Sequence, residues 1–556
     1  MKADLTRNTF DPSKHFTRVI MQQGRVQLDA DWNEQDAILV RNLRAFVRDA
    51  LDPAFGPPGS QGFLITPARA KDFQIGGGPY YVDGIRCEVD SAPVLITGFP
   101  STNTKQVQVG DWIADGVQFE KLQYVMVSGG SSAPPAALVQ ITDVDPGNRI
   151  LTFDTDVSGF KKFSPQVQHV ITYLSQPDHP LPDPGMPSGG ALSAGSYQVY
   201  LDVWERHITY IEDDSIREVA LNGPDTATRA KLVCQVKVTT PCQSQGTSDA
   251  AGGAVCCTAQ QLTSTFQPGN RGRLKARAKQ ASASTDPCII SPQARYRGPE
   301  NQLYRVEIHT GSQDAQGNAT TPTFKWSREN GSVVFPIVSM ATASGSATTT
   351  VTLENLGRDD RLGLAVGEWV EIQDDTYVLQ NRAEPLLKVQ SIDRASLTVT
   401  LTGAPSSNVG QFPGLHPLLR RWDYQAGDPA EGGLQLSTTD NAALVQEDGN
   451  WHELEDGIQI QFQAPDAGQP PTSYRTSDYW LIPARTATGD VEWPIATDTQ
   501  GNPELDSQNN TIPIALPPLG VQHHYAPLAV ITLDSGGAVI PQAQNGGVQD
   551  CRKPLK

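Results

Sequence analysis

The sequence predicts a mainly β, multidomain chain: a sandwich-like body of antiparallel sheets, two small inserted β-barrel-like modules and one N-terminal docking helix. Three observations carry this expectation. At 556 residues the chain is too long for one ordinary hydrophobic core. Its 42 prolines and 49 glycines are spread from end to end, where they punctuate short runs rich in Val, Ile, Thr and Tyr. One early stretch alone has sustained helical periodicity.

That stretch is "LDADWNEQDAILVRNLRAFVRDALDP", where Leu39, Leu43, Phe46, Val47, Ala50 and Leu51 recur at helical spacing. Asp29 or Asp31 can cap its start, Asp52 and Pro53 end it, and Arg41, Arg44 and Arg48 in its later turns suit the helix dipole. The stripe predicts packing on a sheet. Next, "FQIGGGPYYVDGIRCEV" places tight turns at Gly76 to Gly78 and at Asp83 and Gly84, which reads as a β-meander closing a first region, residues 1–95.

Two later stretches resemble each other. In both, V-G-[DE]-W opens a strand (Val109 to Trp112, Val366 to Trp369), a middle strand ends in an acidic turn (Asp145, Asp393), and a Thr/Leu-rich strand follows. This predicts two copies of one small barrel-like module, residues 96–165 and 346–405. Between them lies a central β domain, residues 166–345, and after them a C-terminal β domain, residues 406–556. The Pro-rich link "PDHPLPDPGMPSGG" and the Ser/Gly/Ala/Gln-rich insertion near 240–265 lack the apolar content to order themselves, so both are expected to be exposed and mobile.

Within the central domain, Asn330 and Gly331 give the strongest two-residue hairpin signal, predicting pairs of Arg328 with Val333, Trp326 with Phe335 and Phe324 with Ile337. Alternation then buries Phe324 and Trp326 and turns Lys325, Ser327 and Glu329 outward. In "LYRVEIH" the same rule buries Tyr304, Val306 and Ile308 and leaves Arg305, Glu307 and His309 as a solvated or partner-facing ladder. Cross-strand ion pairs worth ~0.2–1 kcal/mol each would account for such a row without catalysis.

A net charge of −18 argues against nucleic-acid partners, because phosphate binding draws its affinity from Lys and Arg. No signal-peptide core and no membrane-length apolar run is present, so the expectation is cytoplasmic synthesis and assembly without membrane insertion. Seven cysteines are not an even disulfide framework. Cys242, Cys256, Cys257 and Cys288 crowd one region without a C-x(2-4)-C pair, which favours free thiols or one local disulfide over zinc.

Familiar catalytic motifs are absent from the sequence. Gly-Lys never occurs, so there is no phosphate cradle of the G-x-x-x-x-G-K-[ST] type, and neither H-E-x-x-H nor G-x-S-x-G is present. His523 and His524 sit in a Pro-rich loop entering a strand. Asp154, Asp156, Ser158 and Gly159 match the opening of a calcium loop, but Pro165 stands where its bidentate Glu belongs, so a β-turn is expected. Glu453, Glu455 and Asp456 are the candidate glycosidase carboxylates and read more simply as a turn.

The segments "KADLTRNTFDPSKHFTRVIMQQGRVQLDADWNEQ", "VYLDVWERHITYIEDDSIREVALNGPDTATRAKLVCQVKV", "YRGPENQLYRVEIHTGS", "FKWSRENGSVV", "LLRRWD", "SDYWLIPARTATGDVEWP" and "PPLGVQHHYAPLAVI" together resemble an uncharacterised bacterial family. Its members are often encoded beside genes for phage-tail-like contractile injection systems. The resemblance implies a non-enzymatic structural part of the injection particle, at or near its baseplate, spike or fibres, with no catalytic, cofactor or metal residues to transfer. Its partners would be other particle subunits, with a homo-oligomer (trimer or hexamer) expected from particle symmetry, and release of the particle would carry the chain outside the cell. The N-terminal segment, with Asn8, Phe10, Lys14 and Arg18, is the expected assembly contact, and deletion of residues 1–20 is expected to block incorporation while leaving the chain folded. The alternative is a glycan-binding or glycan-cleaving tail protein, which predicts that Trp204, Trp451 or Trp480 is exposed beside carboxylates. A secreted adhesin is the weakest reading, for want of an export signal.

Overall fold

The computed structural model describes residues 1–68, 71–89, 93–100, 103–114, 117–130, 132–181, 192–243, 254–280, 295–314, 317–342, 348–357, 359, 361–423, 433–540 and 547–555. It is mainly β, built from antiparallel sheets, two closed six-stranded barrels and one long N-terminal helix. Two compact units are formed: Met1–Val40, Glu205–Lys231 and Gln267–Gln522 make the first, and Arg41–Trp204, Leu232–Phe266 and His523–Lys556 the second.

The helix α1 (Asp29–Ala50) stops ahead of Asp52 and Pro53, as its pattern predicts. Asp31 accepts the Leu28 amide at 3.2 Å, whereas Asp29 is taken by the amide and hydroxyl of Thr6 at 2.9 and 2.5 Å. The apolar stripe is not packed as expected. Leu39, Leu43 and Phe46 are exposed, and the buried residues of the helix are Ala30 and Ile38. Periodicity identifies which side chains share a face; it does not identify what covers that face.

In the second unit, Gly78–Val82 and Ile85–Val89 pair across the turn at Asp83 and Gly84, whose φ values are +48° and +79°. Ala54–Phe55 adds the third strand. A four-stranded sheet runs in the order Arg229–Thr239, Gly195–Ile208, His524–Leu533, Gln549–Asp550. Phe73, Tyr80, Tyr173, Val199, Leu201, Leu528 and Ile531 share the core between these elements.

The first barrel comprises Val94–Gly98, Gln106–Val109, Tyr124–Ser128, Ala137–Asp145, Ile150–Phe153 and Gln166–His169. The second, in the first unit, comprises Val334–Thr342, Thr348–Leu353, Trp369–Gln373, Leu387–Asp393, Thr398–Thr402 and Leu418–Trp422. Counted in chain order, both join strand 1 to 2, 2 to 5, 5 to 4, 4 to 3, 3 to 6 and 6 to 1. Both break register in strand 1, at Ile96/Gly98 and Ile337/Ser339, and in strand 4, at Ile141/Asp143 and Val389/Ser391. The turn after strand 4 matches too: Asp145 takes the Asn148 amide and Asp393 the Ala395 amide, and a residue at φ +54° follows in each, Arg149 and Leu397. The loose sequence repeat therefore corresponds to one module present twice, its strands extending beyond the expected limits on both sides.

The first unit also holds a five-stranded sheet in the order Ala443–Leu444, Thr323–Ser327, Gln302–Ile308, Tyr479–Arg485, Asp490–Val491. Asn330 and Gly331 form their tight turn, with φ +53° and +67°. The predicted hairpin pairing across it is incorrect. Thr323–Ser327 stays in the five-stranded sheet, while Val334–Thr342 enters the barrel and pairs with Thr348–Leu353 and Leu418–Trp422. A two-residue turn reverses the chain locally, but the strands on its two sides find their partners in different sheets.

The cysteine-bearing insertion is also more ordered than expected. Residues 244–253 and Cys288 lie outside the described residues, as does most of the Pro-rich link. The segment after residue 253 has regular structure: Ala254–Val255 pairs with Cys242–Gln243, and the helix Ala259–Phe266 packs Leu262 against Tyr200 and Tyr525. Two disulfides fix it, Cys242 to Cys257 and Cys256 to Cys551. The expectation of free thiols or a single local bridge missed the second, because a partner 295 residues away leaves no trace in local spacing.

Candidate functional site

The alternating row of the central sheet is where the first unit concentrates its charge. Every residue of Gln302–Ile308 and Thr323–Ser327 is buried. Tyr304, Val306, Ile308, Phe324 and Trp326 enter an apolar core. On the opposite face Arg305, Glu307 and His309 are 3 %, 1 % and 0 % exposed, and Lys325 and Ser327 are equally enclosed. The reading of this face as solvated is overturned. Alternation here separates two interiors, one apolar and one ionic.

The cover comes from the second barrel. Its strand Trp369–Gln373 turns Val370 and Ile372 into the barrel core and Glu371 and Gln373 outward. The Glu371 carboxylate accepts from Lys325 Nζ at 2.6 Å, Gln373 Nε2 at 2.8 Å, Trp422 Nε1 at 3.0 Å and the Tyr377 hydroxyl. Glu307 accepts from Arg305 Nε at 2.5 Å and Lys2 Nζ at 2.9 Å. Lys325 also lies 4.6 Å over the Trp422 ring, and Arg305 stacks 3.6 Å over Tyr479.

Burial alone would raise both carboxyls. The surrounding cations win: Lys2, Arg305 and Lys325 hold Glu307 far below the usual carboxylate range, and Lys325 and His309 hold Glu371 at about 2. Burial drives His309 down to about 4, and drives Lys2 down to about 7 against the pull of Glu307. Each carboxylate is saturated by donors of its own chain, an arrangement that fixes geometry and leaves little for proton transfer.

Lys2 belongs to the network because the N-terminal arm is threaded into it. Asn330 Nδ2 donates to the carbonyls of Met1 and Ala3 at 3.1 and 2.7 Å, and Arg485 to that of Thr6 at 3.4 Å. A cleft of about 410 Å³ runs along this seat, lined by Asp4 and Arg7 of the arm and by Glu300, Glu329, Arg361 and Arg485. The first seven residues are thus part of the folded unit, and the expectation that residues 1–20 can be removed without consequence for the fold is corrected.

Beyond Arg7 the arm changes character. Residues 8–28 contain a single helical turn, Pro12–Lys14, and a tight turn at Gln23 and Gly24, and are tied to the start of α1 by Thr9 to Glu34 at 2.5 Å and the Val19 amide to Gln35 at 2.9 Å. Asn8, Lys14 and Arg18 are exposed and Phe10 is half-buried. Phe16, Ile20 and Val26 are 58 %, 71 % and 83 % exposed. Of 23 exposed large apolar side chains among the described residues, 12 precede residue 52, which makes the arm and helix the richest part of that surface in exposed apolar groups.

The other candidates are accounted for by local bonding. Glu453 pairs with Lys279 at 2.9 Å, and Glu455 holds Arg328 through two bonds of 2.8 and 2.5 Å and accepts the Tyr304 hydroxyl at 3.0 Å. Asp456 sits in the turn itself, at φ +46°. His523 bonds Asp202 at 2.7 Å and His524 bonds Asp83 at 2.8 Å. Asp156 takes the Ser158 amide at 2.8 Å in the expected turn. Trp204 and Trp480 are buried, and Trp451 is half-buried with Arg277 stacked 4.0 Å over its ring. Among the described residues no group of three His, Cys, Asp or Glu is placed to hold a metal.

Compared with known proteins, residues 1–127, 167–262 and 242–538 match the profile of a family of unknown function, DUF6519. The chain belongs to this family. No curated protein and no solved structure matches it. The part the family profile passes over, residues 128–166, contains Ala137–Asp145 and Ile150–Phe153 of the first barrel. Lys2, Glu371, Gln373, Tyr377 and Trp422 are the members of the network that sequence reasoning missed. For Glu371, Gln373 and Trp422 a signal was present in "WVEIQ" and "LLRRW", which place polar and charged residues beside tryptophan on short strands.

Proposed function

We propose that this chain is a non-enzymatic structural component of a phage-tail-like contractile injection particle, at or near its baseplate, spike or fibres. The observation that carries the reading is the apolar arm and helix, which hold 12 of the 23 exposed large apolar side chains among the described residues. A surface of that kind is unfavourable in water and is relieved by association. The motif resemblance supplies the setting, and the two disulfides suit a chain that works in oxidising surroundings, as a released particle does. Trp204 and Trp480, two of the three tryptophans on which a glycan-binding reading would rest, are buried, which favours the structural reading over it.

The test is to purify particles from a producing strain carrying Phe16→Glu and Ile20→Glu and to locate the chain by electron microscopy. Wild-type chain is expected as ordered density in the particle, and the variant is expected to be lost from it while remaining folded. Particles that assemble and contract without any copy of the chain overturn the proposal.

A further inference from the structure

The exposed arm has a charge as well as an apolar character. Residues 8–28 hold Lys14, Arg18 and Arg25 against Asp11 alone, on a chain whose net charge is −18. Phe16 and Ile20 stand exposed between these cations and Val26 directly after the last. The same unit displays a segment of opposite sign. Residues 212–225 hold Glu212, Asp213, Asp214, Glu218 and Asp225 against Arg217 alone. That segment folds into two single turns, Asp214–Ile216 and Val219–Leu221, which present Val219 at 85 % and Leu221 at 61 % exposure. Asp213, Asp214, Glu218 and Asp225 are exposed around them.

We propose that the basic, apolar arm of one chain docks on the acidic, apolar segment 212–225 of a second copy. Both features combine exposed apolar side chains with charge, and their charges are opposite, which steers encounter and fixes which patch meets which. Because the two patches differ, the contact is heterologous: each copy offers an arm and receives one, which generates a ring where the rotation closes and a filament where it does not. Lys2 and its partners hold the root of the arm in its own chain, so residues 8–28 are the part that reaches across. The proposal deepens the structural-component reading by naming the partner, but it concerns the isolated chain and is tested without the particle.

The experiment is sedimentation of the purified full-length chain over a concentration series at low and high salt, for the wild type and three charge variants. Wild type is expected to self-associate, more weakly at high salt. Lys14→Glu with Arg18→Glu, and separately Asp214→Lys with Asp225→Lys, are each expected to weaken association by about tenfold or more. Combining all four substitutions in one chain is expected to restore it, which a general loss of folding would not do. Circular dichroism of each variant checks the fold. A chain that stays monomeric at every concentration, or an association that neither pair of substitutions weakens, or no recovery in the combined variant, overturns the proposal. Incorporation into particles by a chain that is monomeric alone would sink this inference and leave the structural-component reading standing.

Discussion

Lys325 Nζ lies 2.6 Å from Glu371 Oε2, both side chains fully enclosed, so that an ion pair joins the five-stranded sheet to the second barrel within one unit. Its members are unequal. Glu371 keeps Gln373, Trp422 and Tyr377 when Lys325 is removed, whereas without Glu371 the nearest carboxylate to Lys325 Nζ is Glu307 at 3.7 Å. Glu371→Leu is therefore expected to cost about 3–5 kcal/mol, because it strands a buried cation and three donors. Lys325→Met should cost less, and the double variant should recover much of the larger loss. Urea denaturation of the four proteins measures the cycle; a double variant no more stable than Glu371→Leu would show that the pair does not act as a unit.

Acid should unfold this unit in two stages. His309 has an ordinary value of 6.5 and a folded value of about 4, so between those limits the unfolded chain binds a proton that the folded chain refuses. Stability therefore falls as pH drops through that window. Glu371 has an ordinary value of 4.5 and a folded value of about 2, so its contribution is complete above 4.5 and is lost as pH falls toward 2. His207, pressed down by burial to about 3, adds to the upper stage. His309→Gln should flatten the upper stage in part and, by removing one of the charges that hold Glu371 down, shrink the lower one as well. Thermal denaturation from pH 8 to pH 3 reads both, and a wild-type curve that rises on acidification contradicts the assignment.

These two predictions depend on the feature that the sequence conveyed least directly. Alternation in "YRVEIH" and "FKWSR" correctly identifies two faces, since Val306 and Trp326 do enter an apolar core. It cannot say that the polar face is roofed by a barrel strand from residues 369–373, because burial by a distant segment leaves no mark on local spacing. The same gap explains the helix, whose stripe is periodic yet uncovered, and the bridge from Cys256 to Cys551. The repeated barrel was legible for the opposite reason. Its strand 4, acidic turn and strand 5 are contiguous, so Asp145 and Asp393 carry their structural meaning within a few residues. The turn at Asn330 and Gly331 was legible as a turn and not as a pairing.

Two glycines at positive φ separate conformational cost from steric cost. Gly331 has φ +67°, and a Cβ there would meet Trp422 at an ordinary 3.5 Å. Gly84 has φ +79°, and a Cβ there would lie 2.2 Å from the backbone oxygen of Arg44 in α1. Gly331→Ala is expected to cost about 1 kcal/mol through the backbone alone. Gly84→Ala must also displace the helix backbone and is expected to cost about 3 kcal/mol or more. Denaturant midpoints of the two variants compare them directly, and equal losses would mean that α1 yields freely at Arg44.

The adjacent residues Cys256 and Cys257 are bonded to different partners, one 295 residues away and the other 15. In the chain-entropy account a bridge restrains the unfolded state more as it closes a longer loop, about 3 kcal/mol for the short span and about 5–6 for the long one. Removing both members of a bridge avoids leaving a thiol beside its neighbour, where exchange would scramble the comparison. Cys256→Ala with Cys551→Ala is thus expected to lower the melting temperature more than Cys242→Ala with Cys257→Ala. It should also loosen Gln549–Asp550, which pairs with Ala529 and Val530 at the sheet edge, and so open the C-terminal segment to protease. Peptide mapping without reductant establishes the two linkages first. If the short bridge then proves the more stabilising, or if the C-terminal segment stays protected without Cys551, the segment is held by its strand pairing and core contacts, and the long bridge is incidental to it.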